Sequence, residues 1–118
     1  MSYLYYPGCS LKCSGRAYEE SLLPVFEALG AKLEEVSDWN CCGATSYMSV
    51  NEDAAFALAL RNLCLAEEQA GGNGTPVDVV APCAACFLVL ERVCRAERFP
   101  DRTSARLVHR RLPALRIR

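Results

Sequence analysis

Pro76-Val77-Asp78-Val79-Val80-Ala81-Pro82-Cys83-Ala84-Ala85-Cys86 holds the sharpest change of periodicity in the chain. A short apolar run rich in β-branched residues, closed by proline at both ends, predicts a buried strand over 76–81. Beyond Pro82, Phe87, Leu88, Leu90 and Val93 take up helical spacing, which predicts a helix over 84–97 with those four as core candidates. Cys83 and Cys86 stand at the junction. A strand that delivers thiols straight into a helix places them where open α/β sheets carry their sites, beyond the C-terminal end of a strand.

The same arrangement recurs twice upstream. Ser2-Tyr3-Leu4-Tyr5-Tyr6 predicts a buried aromatic strand that Pro7-Gly8 stops, with Cys9 just beyond. A helix follows over 15–29, with Tyr18, Leu22, Val25, Phe26 and Leu29 on an apolar face, Glu19, Glu20 and Glu27 on the wet side and Gly30 as C-cap. Residues 32–37 predict a weaker strand, and Asp38-Trp39-Asn40 a turn into Cys41-Cys42-Gly43. A second helix is expected over 50–70, capped by Asn51 and carrying Ala54, Leu58, Ala59, Leu63 and Ala66 on one side; Gly71-Gly72-Asn73-Gly74 ends it. Strand and helix alternate three times, and right-handed parallel crossovers connect such an order most economically. The expected fold is three-layer, Rossmann-like α/β, with a small mainly parallel sheet. Its C-terminal edge gathers the three cysteine groups although they lie far apart in the chain.

Length suits one domain, and 52% apolar content supplies a core. The eight cysteines amount to about 7% of the chain, below the density of a pure disulfide scaffold. Met1-Ser2 and the aromatic run give no secretory signal, so the expected compartment is the cytoplasm and the expected state of the cysteines is reduced. No apolar run is long enough for a transmembrane helix. The formal charge of −1 conceals a division: residues 98–118 carry seven arginines and one acid, whereas residues 1–97 carry six basic and thirteen acidic side chains. The chain therefore divides into a cysteine-rich domain over 1–97 and an arginine-rich extension over 98–118. Arg98, Arg102, Arg106 and Arg110 recur every four residues, and a short helix is expected over 101–111. A solvated helix or a contact with an acidic partner surface explains the stripe. Nucleic acid does not, because no aromatic-lined groove or known module accompanies the arginines.

Thiolates are the natural ligands of iron–sulfur centres and of zinc. The candidate ligands are Cys9, Cys41, Cys42, Cys83 and Cys86; iron–sulfur ligation, zinc held by four of the five, and a metal-free dithiol site are the open readings. Zinc sites close with four ligands, so five positioned sulfurs favour iron. Cys13 is a buried filler or an accessory thiol, and Cys64 and Cys94 are core residues within helices. Gly8 and Gly43 let backbone approach a sulfur-rich centre and turn N–H groups toward it. Trp39 packs beside the Cys41-Cys42 pair or shields it from water. His109 is a surface residue of the basic end. No Ser/His/Asp or Cys/His constellation for hydrolysis exists, and no phosphate-binding glycine pattern.

Tyr6-Pro7-Gly8-Cys9, Asn40-Cys41-Cys42-Gly43 and Ala81-Pro82-Cys83-Ala84-Ala85-Cys86 together closely resemble the cysteine-rich CCG domain, as in the N-terminal half of the heterodisulfide reductase B subunit. That domain also occurs in the iron–sulfur subunits of glycolate, lactate and glycerol-3-phosphate oxidoreductases. The resemblance runs from residue 3 to about residue 95 and implies a noncubane 4Fe-4S cluster held by Cys9, Cys41, Cys42, Cys83 and Cys86. It implies an oxidoreductase subunit that exchanges electrons with a disulfide/thiol substrate and requires other redox subunits, iron–sulfur or flavin proteins, or a further copy of itself. The alternatives are a non-catalytic electron-transfer subunit and a zinc-bound or metal-free interaction module. Two departures stand out. The family's B subunit carries two such domains in a longer chain, and the 40 residues between Cys42 and Cys83 make this gap somewhat longer than the family's. The glycine-rich loop absorbs such an insertion at small entropic cost.

Overall fold

A computed structural model describes residues 1–73, 75–95 and 115–118. In chain order the elements are β1 (Ser2–Tyr5), α1 (Gly8–Lys12), α2 (Arg16–Ala28), β2 (Lys32–Glu35), α3 (Tyr47–Val50), α4 (Glu52–Gln69), β3 (Val77–Val80), α5 (Ala84–Cys94) and β4 (Leu115–Ile117). The strands form one sheet in the order β2-β1-β3-β4, and every pair is parallel. The expected alternation of three strands and three long helices is present. The five-residue α1, the single turn α3 and the edge strand β4 are additional. The helix expected over 101–111 and the stripe Arg98, Arg102, Arg106 and Arg110 lie outside the described residues. β4 comes from the far end of the arginine-rich stretch: Leu115 is buried, and Arg116 and Arg118 reach Asp78 of β3 at 3.0 and 3.2 Å.

Successive side chains of a strand point to opposite faces, and here the two faces differ. Leu4, Tyr6, Val36, Val79 and Leu115 form one apolar cluster with Phe56, Ala59, Leu63 and Ala66 of α4 and Val89, Leu90 and Val93 of α5. Asn51 caps α4 as expected, accepting from the Ala54 N–H at 3.1 Å. Tyr5 turns the other way and donates its Oη to Glu19 of α2 at 3.0 Å. The layers are therefore α4 and α5, the sheet, and α1 with α2.

α2 departs from the expectation. Tyr18, Val25 and Leu29 are 51%, 54% and 71% exposed, Leu22 and Phe26 are half-buried, and the buried residue of this helix is Glu19. The reason is position: α2 lies by the edge strand β2 with the short α1 as its neighbour, so its apolar stripe is wider than the surface beneath it. Glu19 is held inside by hydrogen-bonding Tyr5 and by Lys12 Nζ at 2.8 Å, partners that make a buried carboxylate tolerable. Within α5, Leu90 and Val93 are buried as expected, while Leu88 is 47% exposed.

Burial raises both Tyr5 and Tyr6 above the ordinary tyrosine range, Tyr5 with help from the Glu19 charge and Tyr6 with help from the neighbouring thiols. A raised phenol stays protonated in the fold after its unfolded counterpart has ionised. The unfolded state then binds fewer protons, and stability falls as pH rises. Urea midpoints should hold steady for these two groups below about pH 9 and drop steeply above about pH 10. Tyr5→Phe should blunt the drop; an unchanged alkaline slope in that variant would contradict the assignment.

Candidate redox thiol site

The C-terminal ends of β1, β2 and β3 carry the three cysteine groups. Tyr6 continues β1 by donating its N–H to Val80 O at 2.9 Å, and Val36 continues β2 by donating to Tyr5 O at 2.9 Å. Pro7 then turns the chain, and Gly8, at φ +75°, opens α1 with Cys9 on its first turn. After β3, Cys83 occupies the N-cap position of α5, which brings Cys86 onto that helix's first turn.

The Cys41-Cys42 pair is placed by α4. Asn62, 2% exposed, accepts from the Asn40 N–H at 2.9 Å and donates to the Asn40 carbonyl at 2.8 Å. Tyr6 Oη donates to the same carbonyl at 2.7 Å and accepts from Asn62 Nδ2 at 3.3 Å. Arg61 adds contacts to the Asp38 carbonyl at 2.8 Å and Asn40 Oδ1 at 2.7 Å. The residue before the pair is thus tied to both the helix and β1. Trp39 meets the Tyr6 ring edge-on at a centroid distance of 5.5 Å and donates its indole N–H to Glu35 at 2.8 Å, so its part here is packing against the tyrosine that faces the thiols. Asn62 has no place in a sequence reading of the site. Its signal was a polar residue on the same face as Ala59, Leu63 and Ala66. Asn62→Ala leaves the part-buried Asn40 N–H without its partner and the Asn40 carbonyl with Tyr6 alone, and should lower stability by about 1–3 kcal/mol in urea unfolding; a loss within about 0.5 kcal/mol, the range of ordinary surface changes, would contradict this role.

Gly43, at φ +83°, lies against the backbone of α4; a Cβ there would sit 2.5 Å from Ala55 O. Gly8 leaves room for sulfur: a Cβ would sit 2.8 Å from Cys86 Sγ. Both glycines serve close approach, one to a helix and one to a thiol.

The five thiols lie near enough to perturb one another: Cys9 and Cys42 act on Cys41, Cys86 and Cys41 on Cys42, and Cys42 and Cys83 on Cys86. Cys42 and Cys86 are buried, Cys41 and Cys83 half-buried, and Cys9 exposed. The mutual influence of Cys42 and Cys86 separates that pair. It draws Cys42 below the ordinary thiol range, with backbone N–H groups of Ala44 and Cys42 adding to the effect, and pushes Cys86 well above it together with burial. Burial also raises Cys41, against a hydrogen bond from the Gly43 N–H. Tyr6 feels four of these sulfurs, those of Cys42, Cys86, Cys41 and Cys9.

The remaining cysteines are Cys13, Cys64 and Cys94. Cys13 is exposed at the C-terminal end of α1, against the expectation of a buried filler, because the five-residue helix ends there at the surface. Cys64 is half-buried within α4. Cys94, at the end of α5, reaches Leu115 O at 3.6 Å and so touches β4. Among the described residues no group of three or more His, Cys, Asp or Glu side chains is arranged to hold a metal ion.

The CCG cysteine-rich domain matches residues 3–91, three-quarters of the chain. The chain belongs to that family. It is 32% identical over 90 residues to the 8-methylmenaquinol:fumarate reductase membrane anchor subunit of Wolinella succinogenes, covering 76% of this chain and 30% of that one. It is 30% identical over 88 residues to a heterodisulfide reductase B-subunit-like protein of Archaeoglobus profundus, covering 74% of this chain and 27% of that one. The CCG chain thus spans less than a third of the length of either relative. Among the described residues no helix is long and apolar enough to cross a membrane.

Proposed function

We propose that this CCG domain is a non-catalytic electron-transfer subunit of a heterodisulfide-reductase-like oxidoreductase, holding a noncubane 4Fe-4S cluster on Cys9, Cys41, Cys42, Cys83 and Cys86. The observation that carries the reading is the CCG match together with the five cysteines that three loops bring to one edge of a parallel sheet. A donor set of thiols alone suits iron–sulfur chemistry. Five thiols exceed the four that one tetrahedral zinc takes. Gly8 and Gly43, with no Cβ, let backbone come close to Cys86 and to α4.

When bound, such a cluster supplies one-electron transfer. The chain's own contribution is placement. Tyr6 and Asn62 fix the backbone ahead of Cys41, Gly43 seats the loop on α4, and burial keeps water from Cys42 and Cys86. The exposed Cys9 marks the side open to a partner. A disulfide takes two electrons, so a single cluster on a single domain does not complete its reduction. That is why electron transfer to other redox subunits, iron–sulfur or flavin proteins, is preferred over turnover of a disulfide by this chain alone. The division of the chain at residue 97 and a docking role for the arginines beyond it belong to the same reading, as does a cytoplasmic setting that keeps the thiols reduced.

The test is an anaerobic titration of the reconstituted protein. Reversible uptake of about one electron per chain, with no release of thiol from an added dialkyl disulfide and excess reductant, is the expected result. Sustained thiol release over many turnovers by the isolated chain would replace this reading with catalysis.

A further inference from the structure

The outer edge of β2 is open: the sheet order puts this strand at one end, and among the described residues β1 is its only strand neighbour. Lys32 and Val36 donate their N–H groups to Met1 O and Tyr5 O, on the β1 side, at 2.8 and 2.9 Å. Bonding alternates along a strand, so Leu33 and Glu35 present theirs to the outside. The open stretch has defined ends. Gln69 of α4 fills the edge at its C-terminal end, accepting from the Ser37 N–H at 2.8 Å and donating to Glu35 O at 3.1 Å. At the other end the Ala31 N–H is taken by Phe26 O at 2.9 Å. We propose that this edge is a self-association surface and that its occupant is β2 of a second copy of the chain, running antiparallel about a two-fold axis at Leu33.

Charge selects both the occupant and the register. With Leu33 opposite Leu33, Lys32 of each copy stands opposite Glu34 of the other, and opposite charges across an antiparallel pair are favourable. Centring the axis on Glu34 or on Lys32 instead sets like charges against each other, which is destabilising. Edge strands commonly carry charge that repels a neighbour; here the signs alternate, so pairing with itself brings opposite charges together. The same register uses the outward backbone groups: Leu33 bonds Leu33 in both directions, and the Glu35 N–H stands opposite Ala31. Leu33 pairs with Tyr3, on the face of the sheet that Tyr5 turns to α2. There a cleft of about 390 Å³ between α2 and β2 is lined by Leu23, Phe26, Ala31 and Leu33, with Glu27 and Lys32. Residues opposite each other share a face, so Leu33 of the second copy enters this cleft and covers Leu23, which is 39% exposed. The two four-stranded sheets join into one, with their thiol edges at opposite ends. Nothing in this pairing depends on what those thiols hold.

Sedimentation equilibrium on the full chain, kept reduced under argon so that no disulfide links two copies, reads the association. The parent is expected to dimerise reversibly. Lys32→Glu alone and Glu34→Lys alone should each weaken the dimer by on the order of tenfold, since each sets like charges opposite one another at both symmetry-related positions. Both residues are exposed, and thermal melts should show both variants folded as the parent is. Mixing the two single variants in equal amounts should restore association, because each chain then meets the opposite charge at both positions. The double reversal Lys32→Glu/Glu34→Lys in one chain should restore it too. A chain that stays monomeric up to about 1 mM overturns the proposal, as does a dimer that neither single reversal weakens or that mixing fails to restore.

Discussion

Gly43→Ala is expected to remove about 2–5 kcal/mol of stability, from about 1–2 for a left-handed residue with a Cβ and about 1–3 for forced overpacking. At φ +83° the added methyl would lie 2.5 Å from Ala55 O. That neighbour is backbone in the interior of α4, so nothing flexible can move aside. The loop must lift from the helix, which breaks the register that Asn62 and Tyr6 impose on Asn40. Gly72 supplies the control: its φ is +57°, and a Cβ there meets nothing within 4 Å. Gly72→Ala should cost only the conformational part, about 1–2 kcal/mol. Urea unfolding of the two variants side by side checks the argument, and equal losses would show that close packing on α4 is not what this glycine provides. Against a total stability of about 5–15 kcal/mol for a domain, the larger loss leaves Gly43→Ala marginal at 37 °C.

Cys42→Ser should have the largest effect on cofactor content. Cys42 is buried, and Cys86 and Cys41 both act on its thiol. Iron and sulfide bound after anaerobic reconstitution should fall to a small fraction of the parent's, with a changed visible spectrum. Cys64→Ser, half-buried in α4 and not one of the five proposed ligands, should load as the parent does after allowance for any stability loss. Thermal melts of both metal-free variants keep folding and loading apart. Similar loading by the two variants would remove Cys42 from the ligand set.

Much of this architecture was legible because one pattern repeats: an apolar run, a breaker, cysteine, then helical spacing. Repetition fixed both the parallel order and the edge on which the thiols meet. What stayed hidden has a physical cause in each case. Periodicity shows that Tyr18, Leu22, Val25 and Leu29 share a face of α2, but not whether anything covers that face, and most of it is exposed. Glu19 reads as solvent-facing until Tyr5 and Lys12 are brought beside it by the fold. β4 is three residues long and lies in an arginine-rich stretch, and its alternation of Leu115, Arg116 and Ile117 becomes meaningful only when Asp78 stands opposite Arg116. At the site, the five cysteines were readable as a set. Gly43 was readable as a point of close approach, but that it approaches the Ala55 backbone, and that Asn62 holds Asn40 ahead of the pair, spacing does not encode.

The most direct test of the central claim is metal and sulfide analysis of protein reconstituted and handled without oxygen. About four iron and four sulfide per chain, a brown colour and little zinc are the predicted result. One zinc per chain with no iron, under the same conditions and with the Cys42 and Cys64 variants behaving alike, would contradict the account.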